Sequence, residues 1–331
     1  MASLDAFNSD AFSVSTLTAA INNNPMPKTV LGDKGLFQSA GLVSPRFNIE
    51  HSNGTLSLVP ASERGASGVT IGRDKRTKVP FNTLHLQKDD TILADEIMGM
   101  LAFGSENQVE NLSAYVNQIA MKGANDIAAT WEHQRLGAIK GSVLDADGST
   151  ELLDINAAFG WTQKTATGFA WNTASTKIGS KIDALVDSIA NALQGRFFTG
   201  VRMLMNPTDY TTLTNHSEFQ KLVERESMGR DLRNSYNEIT VRGVTFEKYF
   251  GQMDGVAAIA VGEAWAFPEG VSDLFIARFA PADYNETVGT MGVPLYAKQW
   301  AVEGDKGIKL EVQSNPLFLV TQNVVHKVTN A

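Results

Sequence analysis

Apolar and polar positions change period several times along the chain, and each change marks an element. Between residues 1 and 45, Leu4, Phe7, Phe12, Leu17 and Ile21 stand apart among Ser, Asn and Thr. Too few apolar groups sit there to form a core, so this segment reads as an arm that docks on its own body or on a neighbour. Asn22-Asn23-Asn24-Pro25-Met26-Pro27 ends any helix, because each proline disfavours helical geometry in the residue before it. From 46 to 90 the period is two. Phe47 and Ile49 alternate with polar residues, Asn53-Gly54 is a tight hairpin signal, and Leu56 and Leu58 alternate beyond it. Alternation returns at Val79 and Phe81, while Leu84 and Leu86 fall on the other parity, which predicts a bulge. The flexible stretch Arg64-Gly65-Ala66-Ser67-Gly68 lies far from both strand ends, so residues 46–90 read as a long β-ribbon that projects from the body.

The period then lengthens. Residues 91–103 predict a short helix. From a suitable N-cap at Ser105, Val109, Leu112, Val116, Ile119, Ile127 and Trp131 hold one face of a helix running to about Lys140. At 1.5 Å per residue its length is about 50 Å. Asp145-Ala146-Asp147-Gly148 predicts a hairpin within 141–160, and 161–174 reads as loop. Ile178, Ile182, Leu185, Ile189 and Leu193 make an amphipathic helix between Ser175 and Phe197. Residues 201–205 form an apolar strand, and Asn206-Pro207 opens a helix that extends to about Glu226, followed by polar loop at 227–238. Strands are expected across 239–262, the last of them (Val256 to Val261) apolar on both faces and hence central in its sheet. Phe275 to Phe279 is another strand. Residues 295–328 alternate again, with turns at Gly304-Asp305-Lys306-Gly307 and Asn315-Pro316, and return to pair with β-structure near the long helix. The result is an α+β chain of arm, ribbon, long helix and β-structure, with an α/β block inserted at roughly 175–280.

Composition removes several function classes. A chain of 331 residues is long enough for a large core and roughly two domains. It contains no cysteine, which excludes disulfides, thiolate metal sites and cysteine nucleophiles. The net charge of −8 argues against tight gripping of DNA phosphates. The N-terminus lacks a signal-peptide pattern, and no run approaches the roughly 18 apolar residues of a membrane span, so the product is expected to be soluble and made in the cytoplasm.

No phosphate-binding glycine loop, nucleophile elbow or zinc-protease motif is present. His51, His85, His133, His216 and His326 are dispersed and read as surface or structural residues; His51 and His85 would form a polar cross-strand pair if the ribbon folds back. Asp145-x-Asp147-Gly148 fails as a calcium loop, because Asn156 stands where a bidentate glutamate is needed. Asp89-Asp90 and Asp95-Glu96 read as helix-capping acids, and the five tryptophans as core anchors. No catalytic residue, cofactor or metal is expected, and the chain reads as a non-enzyme. One charge feature rises above background. Arg64, Arg73, Lys75, Arg76 and Lys78 against Asp74 give a local net of +4 on an acidic chain. A solvated loop and contact with DNA are the competing explanations; contact with another subunit is preferred. The long helix offers the complement in Glu106, Glu110, Asp126 and Glu132, against Lys122 and Arg135.

A series of short motifs, in order, adds a resemblance: Asn22 to Pro27, Leu31-Gly32-Asp33-Lys34-Gly35-Leu36-Phe37, Asn53-Gly54-Thr55-Leu56, Arg64-Gly65, Ala94-Asp95-Glu96-Ile97, Phe103-Gly104-Ser105-Glu106, Gly289-x-x-Gly292-Val293-Pro294-Leu295-Tyr296-Ala297-Lys298, and the run from Lys306 to Leu317. From about residue 18 onward the sequence resembles the tailed-phage major capsid proteins of the lambda-like "capsid protein E" family. The resemblance implies the tailed-phage and herpesvirus major capsid fold. It makes 1–45 the N-arm, 46–90 the extended loop, 91–174 plus 295–331 the peripheral domain with its spine helix, and 175–294 the axial domain. It implies self-assembly into hexamers and pentamers of an icosahedral head enclosing double-stranded DNA without tight binding, in the host cytoplasm. Partners implied are a separate scaffolding protein, since the arm is too short to carry one, a portal protein, and in some members a decoration protein. Lysine–asparagine cross-links occur in relatives of the fold; no pair is assigned here. The alternatives are a nanocompartment shell of encapsulin type and, from a different class, a soluble enzyme with its site in residues 175–280.

Overall fold

The computed structural model describes residues 12–51, 77–96, 108–227, 237–253, 256–304 and 306–330. The expected hairpin at Asn53-Gly54, the flexible stretch 64–68, most of the helix expected over 91–103, the N-cap at Ser105 and nearly all of the polar loop at 227–238 lie outside the described residues. In chain order come α1 (Val14–Asn23), α2 (Val30–Asp33), β1 (Gln38–Gly41), β2 (Arg46–His51), β3 (Thr77–Asn82), β4 (Leu86–Leu93) and α3 (Gln108–Lys140). Next are β5 (Ser142–Leu144), β6 (Glu151–Asp154), α4 (Ile155–Phe159), β7 (Lys164–Ala166), α5 (Ile178–Leu193), β8 (Gly200–Met205), α6 (Pro207–Thr214) and α7 (Ser217–Ser227). The rest is β9 (Glu238–Val241), β10 (Val244–Lys248), β11 (Gln252–Met253), β12 (Val256–Ala257), β13 (Glu263–Glu269), β14 (Phe275–Phe279), β15 (Tyr296–Ala301), β16 (Gly307–Ser314), β17 (Pro316–Val320) and β18 (His326–Thr329). The chain groups into two compact units.

The first unit holds Met1–Phe47, Pro80–Arg135 and Ile276–Phe318. Its main sheet runs β15-β16-β4, antiparallel throughout. Ile308, Leu310 and Val312 on alternate positions of β16 are buried, as period-two burial of one sheet face requires. Gly123 lets α3 lie close against this face: a Cβ there would stand 3.3 Å from Val312. An aromatic cluster forms the remaining core. Phe318 packs edge-on against Phe37 and Phe279, and Trp131 of α3 packs against Phe279 at 5.4 Å.

The second unit holds Asn48–Val79, Leu136–Phe275 and Leu319–Ala331. Its six-stranded mixed sheet has the order β7-β18-β13-β8-β10-β9. The central strands β8 and β13 are buried along most of their length, which is why β8 reads as an apolar run, whereas β13 was not anticipated. The β9–β10 hairpin turns at Arg242-Gly243, both at positive φ (51° and 76°), the geometry a two-residue I′ turn demands. α5 buries Ile178, Ile182, Leu185, Ile189 and Leu193, the predicted stripe.

Several local readings are corrected. The parity change at Leu84 is a break between β3 and β4, where the Leu84 N–H donates to the Pro316 carbonyl, and no bulge forms. Residues 91–93 extend β4, and helical geometry starts at Ala94. The helix from Pro207 is two helices, because the His216 Nδ1 accepts the Glu218 N–H and caps a new start. Val256 to Val261 is no central strand: β12 spans two residues and Val261 is 66% exposed. Instead Ala258 N–H turns back to the Gly251 carbonyl, and the apolar interior strand is β13. Residues 161–174 include β7, and residues 155–159 form α4, an unpredicted turn of helix capped by Asp154. Trp300 lies 38% exposed under the Lys309 ammonium on the outer sheet face, so it is not a core anchor. Asp89 and Asp90 belong to β4 and cap no helix, whereas Asp147 accepts from the Ser149 and Thr150 N–H groups and closes the expected hairpin.

Candidate assembly surfaces

Of the cationic loop residues, Arg64, Arg73, Lys75 and Arg76 lie outside the described residues, and Lys78 is exposed on β3. Of the acidic helix residues, Glu106 lies outside them, and Glu110 belongs to the first turn of α3. Asp126 is half exposed and meets Lys88 of β4 at 3.0 Å. Glu132 turns inward. Its carboxylate accepts the Leu31 and Gly32 N–H groups at 2.8 and 3.2 Å, filling the N-terminus of α2, and Arg135 stands beside it at 3.6 Å. The Arg135 guanidinium in turn lies over the Phe318 ring. Asp126 therefore forms a half-exposed pair with Lys88, while Glu132 holds the arm.

The arm docks on its own unit at a second place. Thr18 and Asn22 stand one turn apart on α1 and so face the same way. The Ala297 N–H donates to the Thr18 hydroxyl at 3.2 Å. The Asn22 amide donates to the Leu295 carbonyl at 2.8 Å and accepts from the Leu295 N–H at 3.3 Å. Leu295 and Ala297 are two apart, so these backbone groups point to one side, the outer edge of β15. Leu17 and Ile21 are buried beneath the same helix. No spacing rule flags Thr18 or Asn22 in advance, because hydrogen bonds to backbone leave no residue-type pattern on the partner strand.

The face of β15-β16-β4 opposite Ile308, Leu310 and Val312 carries a polar chain. The Tyr284 hydroxyl donates to the Glu311 carboxylate at 2.8 Å, and the Gln87 amide donates to its other oxygen at 2.9 Å and also to Asp89. Lys309 pairs with Asp89 at 2.6 Å. Burial, reinforced by Asp89 and Asp283, pushes the Glu311 carboxyl above its ordinary value despite the Tyr284 hydrogen bond. Burial also pushes Asp89 up, but Lys309 and Gln87 outweigh it and leave that group below the usual carboxylate range. The Tyr284 phenol is pushed far up by burial and by the Glu311 charge, so it remains a donor.

These groups hold a sheet together and present no nucleophile, base and substrate cavity in one place. Among the described residues no group of three or more His, Asp and Glu side chains could hold a metal ion, and no helix is long and apolar enough to cross a membrane.

Comparison with known proteins bears on the whole chain. A family model described as phage major capsid protein E matches residues 13–330. The major capsid protein of Salmonella phage Felix O1 is 23% identical over 348 residues, covering 94% of each chain. That of Pseudomonas phage KPP10 is 27% identical over 314 residues, covering 86% of each. Among solved structures, a prophage protein of Escherichia coli CFT073 described as a capsid protein superposes with a TM-score of 0.61 at 16% identity, over 96% of this chain and 99% of the other.

Proposed function

The chain belongs to the phage major capsid protein E family, and from that premise we propose how its copies build a shell. It is a structural protein of the virion with the α+β fold of tailed-phage capsids, and its copies self-assemble. In the proposal those copies form hexamers and pentamers of an icosahedral head around double-stranded DNA. Assembly takes place in the host cytoplasm with a separate scaffolding protein and a portal, and a decoration protein is an optional addition. Residues 1–45 act as the arm, 46–90 as the extended loop, 91–174 with 295–331 as the peripheral part, and 175–294 as the part around the symmetry axes.

Each subunit's loop lies across its neighbour. The observation that carries this is the charge asymmetry: five cations against one anion between Arg64 and Lys78, on a chain of net −8. The helix acids Glu106, Glu110 and Asp126 supply the complement in this scheme, Asp126 by exchanging its Lys88 partner for a loop cation. Glu132 is already engaged within its own chain, so it serves the arm in this scheme. Exposed charge pairs contribute only about 0–1 kcal/mol each, so the loop steers and registers subunits more than it binds them. Many such contacts acting together stabilise a closed shell while single errors still dissociate. The test is the double reversal Arg73→Glu with Arg76→Glu. Particle yield by electron microscopy is expected to collapse while the free subunit melts at its normal temperature; normal yield overturns the role of the loop.

A further inference from the structure

Lys164, Ser188, Asn191, Gln194, Gln322 and Asn323 line an open cavity of about 390 Å³ in the second unit, a volume within the roughly 300–1,000 Å³ typical of binding pockets. The fold brings them together in three pieces. Lys164 on β7 and His326 on β18 are register partners in a parallel pair, so both side chains rise from one sheet face. Ser188 and Asn191 sit one turn apart on α5, above that face. Gln322 and Asn323 lie just ahead of β18.

Apart from Lys164 the surroundings of the cavity are neutral. His326 is buried and its Nδ1 donates to the Val324 carbonyl at 2.9 Å, which leaves Nε2 to accept the Ser188 hydroxyl at 2.8 Å. Burial and the Lys164 charge keep the imidazole pKa below its ordinary value. No carboxylate lines the cavity. Lys164 thus brings a single positive charge, and it makes no ion pair with any described residue. Its neighbours on the same sheet are matched: Lys327 pairs with Glu263, and Arg202 with Glu238, Glu247 and Glu269. Gln322 Oε1 is buried without a partner. The pocket therefore offers one ammonium and several amide donors, with no carboxylate of its own to meet them.

We propose that this pocket receives an acidic side chain of a neighbouring copy of the chain. A carboxylate can accept from the Lys164 ammonium and the Asn191 or Gln194 amide together. Nucleic acid fits poorly, since its binding grooves combine several cations with aromatic platforms, and this lining has one cation and no ring. A second copy is the occupant because the family assembles from copies of itself, and because 36 acidic against 28 basic residues leave each copy with carboxylates to spare. The proposal rests on the shell reading above.

Carbodiimide cross-linking tests it. The reagent activates a carboxylate, a contacting lysine amine attacks, an amide forms, and the reagent leaves as its urea. Assembled particles containing equal parts of ¹⁴N and ¹⁵N chain are treated and digested for mass spectrometry. The Lys327–Glu263 pair, 2.5 Å apart, is the internal control. A mixed-isotope amide between Lys164 and an Asp or Glu is expected in particles and absent from dispersed subunits. A control amide without any Lys164 amide, or a Lys164 amide equally abundant in dispersed subunits, overturns the pocket. In parallel, Lys164→Glu is expected to raise the subunit concentration needed for assembly several-fold at unchanged melting temperature; an unchanged threshold also overturns it. Wild-type chain that forms no shells even when co-expressed with its scaffolding protein defeats the shell reading itself, whereas shells with Lys164 unreacted defeat the pocket alone.

Discussion

The two units bury ionisable groups under different arrangements. In the first, Glu311 is buried with a hydroxyl and an amide as its hydrogen-bond donors, and burial moves it toward the protonated form. In the second, His326 is buried between a carbonyl and a hydroxyl, and burial moves it toward the deprotonated form. Both shifts favour the neutral species, as desolvation dictates, yet one group is an acid and the other a base. Arg202 in the second unit is handled otherwise: three carboxylates surround it, and although burial alone would lower its pKa, Glu269 and Glu247 hold it above the ordinary arginine value. Neutral partners leave a buried group sensitive to pH, whereas opposite charges fix it.

The largest test of that contrast is Arg202→Met. It leaves Glu247, Glu269 and Glu238 together without a cation, and breaking a buried pair from one side costs about 3–5 kcal/mol. Hydrogen exchange should show the loss in β8, β10 and β13, with β15, β16 and β4 unaffected; full protection in β8 would show that the charges never depended on one another. Next comes Tyr284→Phe, which removes one donor from Glu311 and should cost about 1–3 kcal/mol. Faster exchange in β16 is the expected readout, and unchanged protection would mean that water replaces the hydroxyl. The smallest effect is that of mild acid. His326 has a folded pKa below 6.5, so its contribution is complete above 6.5 and is lost as pH falls from there toward the folded value. Glu311 has a folded pKa above 4.5, so its penalty at neutral pH is relieved as pH falls through the folded value toward 4.5. After correction for intrinsic exchange rates, acidification should weaken protection in β18 and strengthen it in β16, and His326→Gln should abolish only the first change. Parallel changes in both strands would break the comparison.

Long periodic elements were legible from sequence for a physical reason: burial of one face repeats. α3, α5 and β16 carry that repeat, and the continuously buried β8 stands out as an apolar run; β13 was missed, the central strand having been expected at Val256 to Val261. Val256 to Val261 looks equally apolar but sits between Gly251 and Gly262, and the chain turns there before a ladder can form. β7 has three residues, too few for any period. The charge asymmetry of the loop was visible because it needs only composition. Glu132 looked like a surface acid, since its use by the α2 backbone depends on an arm 100 residues away. The Lys164 pocket was invisible for the same reason, because a cation is unmatched only relative to a folded neighbourhood.

A β-sheet with two bare rims can lengthen without limit by adding strands, and that is the geometry of a fibre. In the sheet β15-β16-β4 the rim at β15 is sealed by Thr18 and Asn22, and the rim at β4 carries Lys88, Asp89 and Asp90. Growth of that sheet through a shared backbone ladder is thereby opposed at both rims, so any contact a second molecule makes there falls to side chains. Such joints can be tilted, and tilt is what lets a sheet of molecules close into a hollow body.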